Sequence, residues 1–93
     1  PGNLLYLTLG KNFNQQIDLL PNSLIELYFS ENSIFSQLFD NLPNSLKNLT
    51  IGSNYDKRIT ILPKSIKKII VRDKKQKDLI PEKYHKLIKF SKY

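Results

Sequence analysis

Cysteine, methionine, tryptophan and alanine are all absent from this chain of 93 residues, and histidine occurs once. Without cysteine there are no disulfides, no thiolate metal ligands and no thiol nucleophile, a composition that fits an intracellular, cytoplasmic address. No apolar run approaches the roughly 18 to 20 residues that span a bilayer, and Pro1 does not open a charged-then-apolar leader. The lack of alanine and tryptophan, beside abundant Lys, Asn, Ile and Leu, points to an AT-rich genome. A chain this short makes one domain, and a single core of this size is usually marginal. Stacked repeats would change that by sharing one continuous core.

Repetition is what the chain does have. LPNSLKNLTIGSN, Leu42 to Asn54, nearly copies LPNSLIELYFSEN, Leu20 to Asn32, and the five prolines Pro1, Pro21, Pro43, Pro63 and Pro81 mark the phase at intervals of 20, 22, 20 and 18 residues. Units are expected at 1–20, 21–42, 43–62, 63–80 and 81–93. Three positions after each of the first four prolines stands an aliphatic residue (Leu4, Leu24, Leu46, Ile66), with another at six (Leu7, Leu27, Leu49, Ile69) and an apolar residue at eight (Leu9, Phe29, Ile51, Val71). Asn12, Asn32 and Asn54 follow in the first three units.

The spacing LxxLxLxxN has a physical reading. Its alternating end is period two and favours a short strand with one face inward. One such strand cannot stand alone, so the units are expected to pair their strands in parallel and stack the inward side chains into a column. The three asparagines are expected to be buried at the turn, where an amide can satisfy backbone groups of neighbouring units. An aromatic at twelve (Phe13, Tyr55) and Ile at sixteen (Ile17, Ile59) can close the other side of the core. Those second halves lack helical periodicity and should be extended or irregular. The fold expected is therefore a repeat solenoid with a concave parallel sheet and an irregular convex side.

LxxLxLxxN resembles the leucine-rich repeat signature in a short form. The fuller run LTLGKNFNQQIDLLPNSL resembles the FNIP repeat, a leucine-rich subclass known chiefly from slime moulds and giant viruses of amoebae. The departure is FNQQI at Phe13 to Ile17 and YDKRI at Tyr55 to Ile59, where the family has FNxPI, with Leu38 and Phe39 filling a segment two residues longer in between. A bacterial effector-type leucine-rich repeat is a second relative. The resemblance implies a protein-interaction module that binds on the concave sheet. Such repeats often follow an F-box, which would make the array a substrate-recruiting part of a ubiquitin ligase. It also implies no catalytic residues and no cofactor, and, for a viral member, the host-cell cytoplasm.

The strand positions that face away from the column are five, seven and nine after each proline. They make the expected binding face: Tyr6 and Thr8, Glu26 and Tyr28, Asn48 and Thr50, then Lys68, Ile70 and Arg72, with Gly10, Ser30 and Gly52 completing the third row and Lys86 and Ile88 a fifth unit. Tyr6, Glu26, Asn48 and Lys68 should form one row, and Thr8, Tyr28, Thr50 and Ile70 the next. Exposed strands favour Thr and Tyr for propensity alone, and tyrosine also suits interfaces.

Charge divides the chain. Residues 1–63 carry four basic and five acidic side chains, net −1, and residues 64–93 carry eleven and three, net +8. Lys64, Lys67, Lys68, Arg72, Lys74, Lys75 and Lys77 form a candidate basic patch, and 64–92 could bind RNA or an anionic surface with an affinity that falls as salt rises. A solvated, lysine-rich cap accounts for the same residues.

Catalysis finds no pattern. His85 has no serine or carboxylate placed near it, Glu26 with Glu31 and Asp18 with Asp40 are unpaired, and the three glycines are dispersed. Asn48-Leu49-Thr50 matches a glycosylation acceptor but falls on an expected strand. Ser23, Ser45 and Ser65, just after the turns, are expected to bond locally to backbone. Lys74 replaces the asparagine in the fourth unit, so the array ends there, and 81–92 forms either a last strand or a capping helix. Because Pro1 enters in phase and without a cap, the sequence reads as a piece of a longer chain that could associate with itself through that edge.

Overall fold

A computed structural model describes residues 4–17, 20–39 and 41–91. Pro1, Asp18, Asp40 and Lys92, which figure in the reading above, lie outside the described residues. Each unit contributes one short strand: β1 at Tyr6–Leu9, β2 at Glu26–Phe29, β3 at Asn48–Thr50, β4 at Lys68–Val71 and β5 at Ile88–Phe90. They pair in parallel, in sequence order, into one five-stranded sheet. Parallel neighbours need a crossover between them. Here the crossovers are irregular or 3-10 helical, and none of the described residues is α-helical.

Register follows the repeat phase. Leu7 lies opposite Leu27, Leu27 opposite Leu49, and Leu49 opposite Ile69. The last three have no solvent exposure. Strands of three or four residues are too short to persist alone, so it is this column, with Phe29, Ile51 and Val71 beside it, that holds each one in place.

The four described proline turns have the same construction. The amides of Leu24, Leu46, Ile66 and Tyr84 donate to the carbonyls of Pro21, Pro43, Pro63 and Pro81 at 2.9–3.2 Å. Within three of these turns the serines do not bond locally. Ser23, Ser45 and Ser65 donate to the carbonyls of Leu4, Leu24 and Leu46 in the preceding unit, at 2.7, 2.6 and 2.5 Å. The side chain reaches across because its own turn is already closed by backbone, while the carbonyl before each strand lies ahead of the sheet ladder and needs a donor.

The expected ladder of buried asparagines is corrected. Asn12, Asn32 and Asn54 are exposed in tight turns. Those turns close through backbone: the amides of Phe13, Ser33 and Tyr55 donate to Gly10, Ser30 and Gly52 at 3.1–3.2 Å. Neighbouring units supply the rest, with Ile34 donating to Lys11 and both the amide and hydroxyl of Ser53 donating to Glu31. The asparagine that does bridge units is Asn14, whose Oδ1 accepts from the Ser36 amide at 2.9 Å and the Gln37 side chain at 3.1 Å.

Aromatic rings close the far side of the core. Phe35 stacks between Phe13 and Tyr55, with 6.0 Å between centroids on each side and interplanar angles of 12° and 18°. Phe39 packs edge-on to Phe29 and 4.9 Å from Tyr55, while Ile17 and Ile59 are buried in the same cluster. Phe35 thus holds the position of Phe13 and Tyr55. The two additional residues of the second unit are then Ser33 and Ile34, the first buried with its Oγ accepting from the Phe35 amide, the second 49% exposed.

That insertion has a consequence in the third unit. A β-carbon on Gly52 would lie 2.9 Å from the Ser30 carbonyl oxygen and 3.0 Å from the Ser33 β-carbon, whereas one on Gly10 would meet nothing within 4 Å. Gly52→Ala is expected to destabilise by about 1 to 3 kcal/mol, as overpacking does. Gly10→Ala is expected to be neutral or slightly stabilising, through lower unfolded-state entropy. Urea midpoints of the two variants check this; equal midpoints would contradict the close approach.

The C-terminal end combines both forms considered for it. A 3-10 helix spans Lys74–Leu79 with Asp73 as its N-cap and Gln76 completing a capping box. A second 3-10 helix spans Glu82–Leu87 and leads directly into β5. Ile88 lies opposite Ile69 and Lys89 opposite Ile70. Ile88 therefore joins the inward column, and Lys89, not Lys86 or Ile88, continues the outward row. The reason is one extra residue: Ile88 follows Pro81 by seven positions, where Leu27, Leu49 and Ile69 follow their prolines by six.

Candidate interaction surface

Parallel, in-register strands turn a repeat position into a row. Tyr6 is opposite Glu26, Glu26 opposite Asn48, and Asn48 opposite Lys68. Neighbours in such a row are roughly 4.8 Å apart. Tyr6 is 64% exposed, Glu26 and Asn48 half-buried, and Lys68 exposed. The row runs from an aromatic ring through a carboxylate and an amide to an ammonium group.

The next row is different. Thr8, Tyr28, Thr50 and Ile70 are in register, yet Thr50 is buried and cannot serve as the surface residue expected of it. Arg72 reaches into the same row at Tyr28. Its Nη2 donates to the Tyr28 hydroxyl at 2.8 Å and to the Phe29 carbonyl at 3.3 Å, its Nε to Ile51 at 3.3 Å, and its Nη1 to the Ser91 hydroxyl at 3.4 Å. The guanidinium carbon lies 5.3 Å from the centroid of the Tyr28 ring. Arg72 thus leaves the end of β4, bonds at the end of β3 and reaches β2. A planar, multi-donor cation suits this role and a lysine would not. The signal available in the sequence was that Arg72 is the one arginine among the eleven basic residues of the last third.

The residues of the candidate basic patch stand before, on and after β4. Arg72 is half-buried, its guanidinium bonded to Tyr28 and Phe29. Lys64 and Lys67 precede β4, while Lys74, Lys75 and Lys77 follow it on the first 3-10 helix. All five, with Lys68, are exposed. A four-residue strand, about 13 Å long at ~3.3 Å per residue, separates the two groups.

Gln76 is the polar residue that repeat reasoning overlooked. It is 2% exposed. Its Nε2 donates to the carbonyls of Gly52 at 2.6 Å and Tyr55 at 3.1 Å, and its Oε1 accepts from the amides of Arg72 at 2.8 Å and Asp73 at 3.2 Å. Every bonding position of the amide that the turn can use is occupied, and the last turn of the array is tied to the one before it. His85 is also structural, with Nε2 2.8 Å from the Ile80 carbonyl oxygen. Among the described residues no group of three or more His, Asp or Glu side chains converges as metal ligands do.

One strand per unit, inward aliphatics at fixed phase and bonds between equivalent turns define a repeat protein. The FNIP repeat family model matches residues 1–32 and 35–74, and the chain belongs to that family. The two residues between the matched segments are Ser33 and Ile34, the insertion seen in the structure. Comparison with curated proteins gives no match. Comparison with solved structures gives none either.

Proposed function

We propose that this chain is a protein-interaction module, a short solenoid of the leucine-rich-repeat kind whose strand face is concave and receives a protein partner. The observation that carries the reading is the row Tyr6, Glu26, Asn48 and Lys68, in direct register and open to solvent at both ends. Neighbouring Thr8 and the Arg72-linked Tyr28 provide a rigid border. A tyrosine already held by a guanidinium loses little freedom when a partner packs on it. Membership of a repeat family favours binding over chemistry, and substrate recruitment for an intracellular ubiquitin ligase is a use such a face would suit.

The test is a comparison of captured partners. A protein that the chain retains from cell extract is expected to be lost with the double variant Tyr6→Asp, Lys68→Glu, both of whose positions are exposed, and kept with Lys57→Glu. Retention by the double variant would reject the strand face as the binding surface. The exposure of nine lysines among the described residues of the last third favours a second reading, binding of RNA or an anionic surface. Titration with mixed RNA and with acidic vesicles separates the two, and no binding at low salt rejects the second.

A further inference from the structure

A depression of about 600 Å³ lies at the proline-turn end of the later units, where Asn44, Ile61, Leu62, Pro63 and Lys64 meet Lys83 and Tyr84 of the second 3-10 helix. A smaller hollow of about 210 Å³ shares Asn44, Ile61, Leu62 and Pro63 and extends to Leu42, so the two form one continuous groove. Its volume is in the range of ligand sites, roughly 300 to 1,000 Å³.

The lining has a definite chemistry. Leu62 and Pro63 are buried, while Ile61 is 58% exposed. Core packing does not require that exposure: the residues two before Pro43 and Pro81 are the polar Asn41 and the half-buried Leu79. The rim carries two ammonium groups, Lys64 and Lys83, and among the described residues that line it there is no carboxylate. Lys83 is held over the Tyr84 ring, Nζ to centroid 5.2 Å, and the Tyr84 hydroxyl donates to the Leu62 carbonyl at 3.4 Å. A cation is thus positioned beside an exposed aliphatic side chain.

We propose that this groove docks a short acidic peptide segment of another protein, an aliphatic side chain of the segment covering Ile61 and the flanking carboxylates meeting Lys64 and Lys83. The exposed Asn44 amide is available to the peptide backbone. The aliphatic floor suits side-chain burial, and the Tyr84 ring, covered by Lys83, offers no platform for a nucleic-acid base. The site lies apart from the strand row and is independent of it.

Fluorescence anisotropy with three labelled probes on the whole chain tests this: a peptide alternating Asp and Leu, one alternating Lys and Leu, and oligouridylate RNA. The acidic peptide alone is expected to bind, more weakly as salt rises. Ile61→Asn, which changes no charge, should weaken it about tenfold, roughly one decade of affinity, and Lys83→Glu at least as much, while Lys68→Glu on the strand row should alter it less than about twofold. Melting curves of Ile61→Asn and Lys83→Glu verify that each folds. No binding of the acidic peptide, equal binding by Ile61→Asn, or RNA competing it off the groove would each overturn the proposal.

Discussion

Replacing Gln76 with leucine is expected to lower stability by about 2 to 4 kcal/mol, more than any other exchange of one polar residue here. Leucine fits the volume but makes none of the four hydrogen bonds of the amide. The Gly52 carbonyl keeps the Tyr55 amide as a partner. The Arg72 and Asp73 amides lose the acceptor they share, and a donor left unsatisfied beside this buried side chain costs roughly 1 to 3 kcal/mol. The measurement is a urea midpoint by circular dichroism. Gln76→Glu provides a pH test of the same site. A carboxylate here would keep the two amides at one oxygen, but burial and the two carbonyl oxygens facing the other should outweigh them and raise its folded-state pKa. Stability is then expected to be lowest near neutral pH and to recover as pH falls through that raised pKa, fully below the ordinary value of about 4.3. A flat profile, or a Gln76→Leu midpoint unchanged from the parent, would mean that the last turn is not tied to the array through this amide.

Leu49→Ala is the second large effect, about 2 to 5 kcal/mol. Leu49 has no exposure and lies in register between Leu27 and Ile69. Shortening it leaves a cavity with neighbours on both sides that the stacked backbone cannot close. A domain of this length has about 5 to 14 kcal/mol in total, at ~0.05–0.15 kcal/mol per residue. The variant should therefore shift the unfolding midpoint strongly and lie near the edge of folding. An unchanged midpoint would contradict the inward phase of the repeat. The neighbouring Asn48→Ala, on the opposite face of the same strand, is expected to stay within about 0.5 kcal/mol, so the pair reads the alternation directly.

The strands were legible because a two-residue alternation and a proline every 18 to 22 residues are local statements about which side chains need burial. Leu27, Leu49 and Ile69 stand where that logic places them. The asparagines were misread because a family-like spacing says where a polar residue stands, not which donor arrives first. At Asn12, Asn32 and Asn54 the backbone amide three positions on closes the turn, and the side chain is left in solvent. The serine bonds were misread for a related reason: the acceptor is 19 to 21 residues away in sequence and adjacent only once units stack.

The strand face shows the same division. That Tyr6, Glu26, Asn48 and Lys68 share a row follows from register, and register follows from the apolar pattern. That Arg72 is bonded within the fold follows from a guanidinium that reaches 43 and 44 residues back to Phe29 and Tyr28. The groove beside Ile61 likewise depends on Lys83 and Tyr84 arriving from the last unit.

By itself, then, the sequence determined the repeat, its phase, the parallel pairing and the inward column, because apolar periodicity is a local property that stacking only completes. Tertiary structure alone decided which polar groups close the turns, where the array is tied off by Gln76, that Thr50 is buried, and that Arg72 is bonded to Tyr28. Those outcomes depend on donors and acceptors far apart in the chain, each competing for partners whose positions exist only after the units have packed.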